Sequence, residues 1–133
     1  MLVRPMALTY PDDLRYTPSH EYVALKDGLA VVGITAFAVD ELGDITYLEL
    51  PPVGHQLQKG ERFGTIESVK AVSDLYAPVS GIVTAVHEEL VDAPEKIAED
   101  PYGLGWLVKI QMTQPEEIAT LLSAADYQAQ LGG

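Results

Sequence analysis

The chain has no cysteine, no apolar run near the length of a membrane span, and few basic residues. Without cysteine there is no disulfide, no thiolate metal site and no cysteine nucleophile. A spanning helix needs about 20 consecutive apolar residues; the longest apolar stretches here are a few residues, broken by charge or glycine. Eight Lys and Arg face 20 Asp and Glu, a net charge of −12. Such a surface repels phosphate backbones and anionic membranes and favours partners with basic docking faces. The three histidines, His20, His55 and His87, show no metal-ligand spacing, and no glycine-rich phosphate loop is present. The opening "MLVRPMALTYPDDL" carries one arginine and soon turns acidic, unlike an Arg-rich, acid-poor presequence. Residues 1–15 therefore read as a tail and 16–133 as one domain of a cytoplasmic protein. With 133 residues, 47% of them hydrophobic, one core suffices without metal or disulfide.

The pattern is mostly β with helical punctuation. "EYVALKDGLAVVGIT" predicts a hairpin turning at Lys26-Asp27-Gly28. "TAFAVDELG" predicts a helix capped by Thr35 and ended by Gly43. "DITYLEL" predicts a strand with Ile45, Tyr47 and Glu49 on one face, stopped by Pro51-Pro52. "VGHQLQKGERFG" holds two glycine turns around a short extended piece. "APVSG" reads as a turn, with Gly81 free to take a positive φ. "IVTAVHEEL" and "GWLVKIQM" read as strands. Glu88 and Glu89 then fall on opposite faces of a strand, and Trp106 is assigned to the core. Thr113 with Glu116 and Ser123 with Asp126 predict capped helices at the C-terminus. Many short strands at regular turn spacing suggest a sandwich or barrel.

One hairpin stands apart. Phe63–Val69 and Val72–Ala77 are strand-like arms, yet no Asn-Gly or Asp-Gly closes them; Lys70-Ala71 does. The lysine has three readings. It is a solvated surface cation, a Schiff-base nucleophile, or an acceptor for covalent modification. The second needs a neutral amine, and Glu67 and Asp74 would hold the proton on. The third needs an exposed tip with short neighbours, which Ser68, Ala71 and Ser73 provide. The residues alone permit the third without selecting it.

"ESVKAVSDLYAPVSG" resembles the lipoyl-attachment segment of the glycine cleavage system H-protein family. "YTPSHEYV", "VVGITAFAVDELGDITYLELPPVG", "LVDAPEKIAEDPYGLGWLVKI" and "LLSAADYQAQL" resemble further family stretches in the same order, from Tyr16 to Leu131. The resemblance implies a mainly β fold, a barrel-sandwich hybrid of two antiparallel sheets with a short internal helix and C-terminal helices. It implies a carrier and not an enzyme, with lipoate joined by an amide to Lys70 and no metal. The carrier takes an aminomethyl group from a pyridoxal-phosphate glycine decarboxylase to a tetrahydrofolate-dependent aminomethyltransferase. Dihydrolipoyl dehydrogenase then re-oxidises the arm. A lipoate ligase or lipoyl/octanoyl transferase attaches it, reading Glu67, Ser68 and Ala71. The polar lining that receives the loaded arm maps to Ser19, Glu21 and Asp74, with Glu41 where some members have histidine. Carboxylates and a hydroxyl suit an ammonium, while Glu21 and Asp74 read singly are solvated surface acids. The protein is expected to be a monomer.

The sequence departs from the family at Tyr22, where tryptophan is usual, and at Ala93 and Ala98, where asparagine is frequent and could cap turns. Alternatives are an H-like protein relaying lipoyl groups to other enzymes, or a biotinyl carrier. Biotin domains usually flank the lysine with methionines, whereas Val69 and Ala71 flank it here.

Overall fold

The computed structural model describes residues 8–132. Among these residues nine strands form two antiparallel sheets. The strands are β1 (Arg15–Tyr16), β2 (Glu21–Lys26), β3 (Leu29–Ile34), β4 (Ile45–Glu49), β5 (Gln56–Leu57), β6 (Arg62–Ser68), β7 (Val72–Tyr76), β8 (Gly81–Val86) and β9 (Val108–Met112). The larger sheet runs β1-β2-β3-β9-β8-β5 and the smaller β4-β6-β7. Three α-helices, α1 (Ala36–Leu42), α2 (Glu88–Asp92) and α3 (Ala124–Gln130), and 3₁₀ segments at Pro94–Glu99 and Pro115–Thr120 fill the connections.

The β2–β3 turn follows from its sequence. Lys26 pairs with Leu29, and Asp27 and Gly28 take φ of 53° and 78°, the left-handed pair that a two-residue hairpin of the right twist requires. The alternation along β2 and β3 then sorts side chains to two faces. Val23, Ala30, Val32 and Ile34 enter the main core between the sheets, where Leu48, Ile66 and Leu75 of the small sheet meet them. Tyr22, Ala24 and Val31 face the other way, into a second cluster with Leu14, Tyr16, Ala124 and Tyr127 beneath α3. A sheet covered on both faces explains why "LAVVGI" is continuously apolar.

Tyr22 fills the place expected of a tryptophan. It is fully buried, its ring covers Gly33 directly across the hairpin, and its hydroxyl donates to the Pro101 carbonyl at 2.6 Å. Burial drives its phenol pKa well above the ordinary value. Tyr16 and Tyr127 stack at 4.9 Å between centroids, with Tyr10 edge-on to both. Leu14 and Arg15, assigned to the tail by composition, lie inside the fold: Leu14 is buried and Arg15 pairs with Val23. Tyr10 packs there too. Residues 1–7 of that tail lie outside the described residues.

Several elements differ from the sequence reading. β8 stops at Val86, and "HEEL" turns into α2, so Glu88 and Glu89 occupy a helix's first turn, where carboxylates complement exposed amide groups. A bulge between Ile45 and Tyr47 breaks the expected alternation of β4: Ile45 and Leu48 are buried and Tyr47 is exposed. The Thr113–Glu116 cap does not form; Pro115 starts a 3₁₀ segment with Gln114 before it and no side-chain cap. Ser123 caps α3 as expected, accepting from the Asp126 amide at 3.1 Å. Strand β9 is shorter than "GWLVKIQM", and Trp106 is half-buried, with His87 stacked on it at 4.3 Å and Lys109 Nζ 4.8 Å from its ring. Ala93 caps neither α2 nor the following 3₁₀ segment through its side chain.

Gly81 is needed for space and not for a positive φ. It begins β8 opposite Met112 without a left-handed conformation. A β-carbon there would overlap the Gln111 carbonyl and come within 2.6 Å of Ile110 Cγ2. Gly81→Ala is therefore expected to cost about 1–3 kcal/mol through overpacking. A lowered urea midpoint with unchanged m-value would show it, and a wild-type midpoint would contradict the close approach.

Candidate functional site

The β6–β7 hairpin ends in a turn with no left-handed residue, so Asn-Gly chemistry is unnecessary. Among the described non-glycine residues only His20 and Asp27 have positive φ. Ser68 supplies what the turn lacks. Its amide donates to the Ala71 carbonyl at 2.8 Å, and its hydroxyl accepts from the amides of Ala71 at 3.1 Å and Lys70 at 3.3 Å. The Val69 amide donates to Asp44 O at 3.1 Å, tying the tip to the segment between α1 and β4. The tip is thus held from two sides while Lys70 remains exposed. Its stem passes the end of α1, with Cε 3.7 Å from where a β-carbon on Gly43 would stand. Lys70 Nζ has no hydrogen bond or ion pair among the described residues. Val69 and Val72 beside it are 78% and 68% exposed, which leaves the amine accessible from either side.

Glu67 and Asp74, expected to hold a proton on Lys70, form no ion pair with it. Asp74 is instead fixed by Arg62, whose Nε donates to Asp74 Oδ1 at 3.1 Å and whose Nη2 donates to Glu49 Oε1 at 3.0 Å. These three residues lie on β7, β6 and β4, one on each strand of the small sheet. The bridge was not legible in the sequence, because nothing local marks Arg62 as the partner of a residue twelve positions away.

Next to the tip lies a cleft of about 310 Å³ between β7, α1 and the segment entering β2. Ser19, Glu21, Glu41 and Asp74 all line it, with Ala71 at the tip's edge. His20 lines it as well, although sequence reading gave it no role. Apolar walls come from Phe37 and Leu75, among others.

Glu21 is not a surface acid. It is 1% exposed, and its carboxylate accepts from the hydroxyls of Thr17 and Ser19, both at 2.6 Å, and from the Tyr76 amide at 3.1 Å. Burial pushes its pKa above the ordinary value, and the hydroxyl and amide donors oppose the shift without cancelling it. Asp74 and Glu41, in contrast, are exposed. His20 has a φ of 77°, secured by its amide on Thr17 O at 3.1 Å and by its carbonyl, which accepts from the Thr35 amide at 3.0 Å. Burial lowers its pKa, with Glu41 pulling the other way. Among the described residues no group of three or more His, Cys, Asp or Glu could hold a metal ion, and no helix is long and apolar enough to cross a membrane.

Glu21→Gln would set an amide NH₂ against at least one of those three donors. A loss of about 1–3 kcal/mol at neutral pH is expected, read by urea denaturation. The sign of the pH effect follows from the raised pKa. Glu21's titration favours the folded state below the ordinary value of 4.5, and that contribution is lost as pH rises through its higher folded value. The wild type should therefore gain on the variant as pH falls from neutral towards 4.5. A difference that shrinks over that interval would contradict this assignment.

Comparison with known proteins agrees with this geometry. Residues 14–132 match the family model described as glycine cleavage H-protein. A glycine cleavage system H protein of Thermosynechococcus vestitus is 61% identical over 129 residues, covering 96% of this chain and 99% of its own. One from a Cyanothece species is 58% identical over 128 residues, with 96% and 99% covered. The crystal structure of a glycine cleavage system H protein from Mycobacterium marinum superposes with a TM-score of 0.86 at 43% identity, covering 93% of this chain and all of that one. Two antiparallel sheets presenting an exposed lysine at a hairpin tip, and near full-length identity to these relatives, place the chain in the glycine cleavage H-protein family, the lipoyl carriers of the glycine cleavage system.

Proposed function

We propose that Lys70 carries lipoate as an amide, and that the adjoining cleft receives the amine-bearing cargo of glycine cleavage. The supporting observation is an exposed amine with no partner among the described residues, on a turn held from two sides, beside a cleft lined by carboxylates. When bound, the group supplies a dithiolane that accepts a one-carbon amine and is left as a dithiol after transfer. The chain's own residues present and protect. Glu67, Ser68 and Ala71 shape the segment that a lipoate ligase or lipoyl/octanoyl transferase reads. A pyridoxal-phosphate decarboxylase, a tetrahydrofolate-dependent aminomethyltransferase and dihydrolipoyl dehydrogenase then meet the same tip in turn.

Within the cleft the carboxylates divide the task. Glu21 is committed to Thr17, Ser19 and Tyr76, so it holds the wall in shape. Glu41 and Asp74 are the accessible acids facing a cationic amine, and Ser19 Oγ retains lone pairs to accept from it. Asp74 is shared with Arg62, which moderates its hold.

Intact mass after incubation with a lipoate ligase, ATP and lipoate tests the attachment. Wild type should gain one lipoyl increment, and Lys70→Ala and Lys70→Arg none, because a guanidinium is not acylated this way. Val69→Lys or Ala71→Lys, each combined with Lys70→Ala, should label poorly, since moving the lysine by one position changes the face it is presented on. Labelling of Lys70→Ala elsewhere would overturn the assignment.

Retention of cargo tests the cleft. Glu41→Gln with Asp74→Asn should label normally but release ammonia or formaldehyde about tenfold faster in the absence of the transferase, corresponding to about 1.4 kcal/mol of lost hold. Equal release rates would remove these acids from the role.

A further inference from the structure

The cleft wall at His20 is connected by hydrogen bonds to the C-terminal helix. Tyr127 Oη on α3 lies 2.8 Å from Thr35 Oγ1 and 2.7 Å from His20 Nδ1. Thr35 is fully buried, and its oxygen already accepts the Ala38 amide at 3.2 Å as the cap of α1. Its own proton has one acceptor among the described residues, Tyr127 Oη. Tyr127 is also fully buried, so with its oxygen receiving from Thr35, its proton goes to His20 Nδ1. The chain of donors therefore runs Thr35 O–H, Tyr127 O–H, His20 Nδ1, and it requires Nδ1 to be bare. The ring proton is then on Nε2, which has no hydrogen-bond partner among the described residues.

We infer that Tyr127 is a positioning residue for the cleft, holding His20 as the neutral Nε2–H imidazole so that the ring adds no positive charge beside the carboxylates that face an amine-bearing occupant. The inference rests on the cleft reading proposed above. Its force comes from what faces His20. Glu41 on α1, Glu21 on β2 and Asp74 on β7 line the same cleft, and Tyr127 approaches from α3; the described lining residues include no Lys or Arg, and Arg62 on β6 reaches Asp74 from outside them. A protonated His20 would be the one cation among those described lining residues and would compete with the cargo for the acids. Protonation at Nδ1 would also reverse the Tyr127 hydroxyl and leave the buried Thr35 proton without an acceptor. The ring is held in place as well, with Phe37 4.8 Å away and a left-handed backbone fixed at both peptide groups. The downward shift of the His20 pKa by burial acts in the same direction.

Side-chain ¹⁵N and ¹³C NMR of the unmodified chain tests this. The measurement involves no attached group, so its failure is separable from failure of attachment at Lys70, which mass spectrometry reads. His20 should show the Nε2–H tautomer and titrate below 6.5. Tyr127→Phe keeps the ring but removes the donor that favours the neutral form. Its His20 midpoint should rise by about one pH unit, tenfold in proton affinity, with the Nδ1–H form becoming populated. Thr35→Ser, which retains the hydroxyl, should behave as wild type. An Nδ1–H tautomer in the wild type, or an unmoved titration in Tyr127→Phe, overturns the inference. Should Tyr127→Phe fail to fold, the wild-type tautomer decides alone.

Discussion

The pairing of β6 with β7 is the constraint on which the rest of the site depends. Ile66 and Leu75 sit on the core face of this hairpin at 1% and 2% exposure, and each contributes about 1.5–3 kcal/mol by burial. A slip of one residue would turn both to solvent, so the core itself enforces the register. That register opposes Glu67 to Val72, leaves four residues for the turn, and brings Asp74 level with Thr65. Position of the lysine, closure of the turn and one wall of the cleft are thus consequences of two apolar side chains facing inwards.

The remaining walls are bound to this hairpin by polar contacts. Glu21 begins β2 in the large sheet yet accepts an amide from Tyr76 at the end of β7, joining the two sheets at the cleft. A buried carboxylate is a costly way to make such a connection, and it persists because three donors satisfy it. The opposite side is set by α1, whose cap Thr35 shares Tyr127 with His20. The cleft therefore unites strands far apart in sequence with the last helix of the described chain. Its electrostatic character comes from acids that are satisfied in different ways: Glu21 by neutral donors, Asp74 by Arg62, Glu41 by solvent.

Division of labour between tip and cleft suits a carrier. A group that visits several enzymes must be reachable, which explains the exposed lysine flanked by exposed valines. Under the proposed docking, cargo that reacts with water is withdrawn between visits into the polar recess close by. The tip and one wall of the recess belong to the same hairpin, so strand register sets them relative to each other. The acidic surface as a whole, at a net charge of −12, favours basic docking faces on the enzymes it meets.

The amino-acid sequence alone determined the elements governed by local chemistry. The Asp27-Gly28 turn, the Thr35 and Ser123 caps, the Gly43 stop and the hairpin around Lys70 all follow from residues within a few positions of one another. The family motifs, separate stretches in the same order between Tyr16 and Leu131, pointed to the lysine and to the four polar positions. Tertiary structure alone decided what depends on distant partners. Glu21 reads as a surface acid because Thr17 and Ser19 precede it harmlessly; only the sheet-to-sheet contact with Tyr76 encloses it. Gly81 reads as a turn glycine until β9 lies against it. The β4 bulge, the helix at Glu88 and the bridges made by Arg62 and Tyr127 were invisible for the same reason. Their causes are side chains and backbone brought within a few ångströms by packing, which spacing along the chain does not encode.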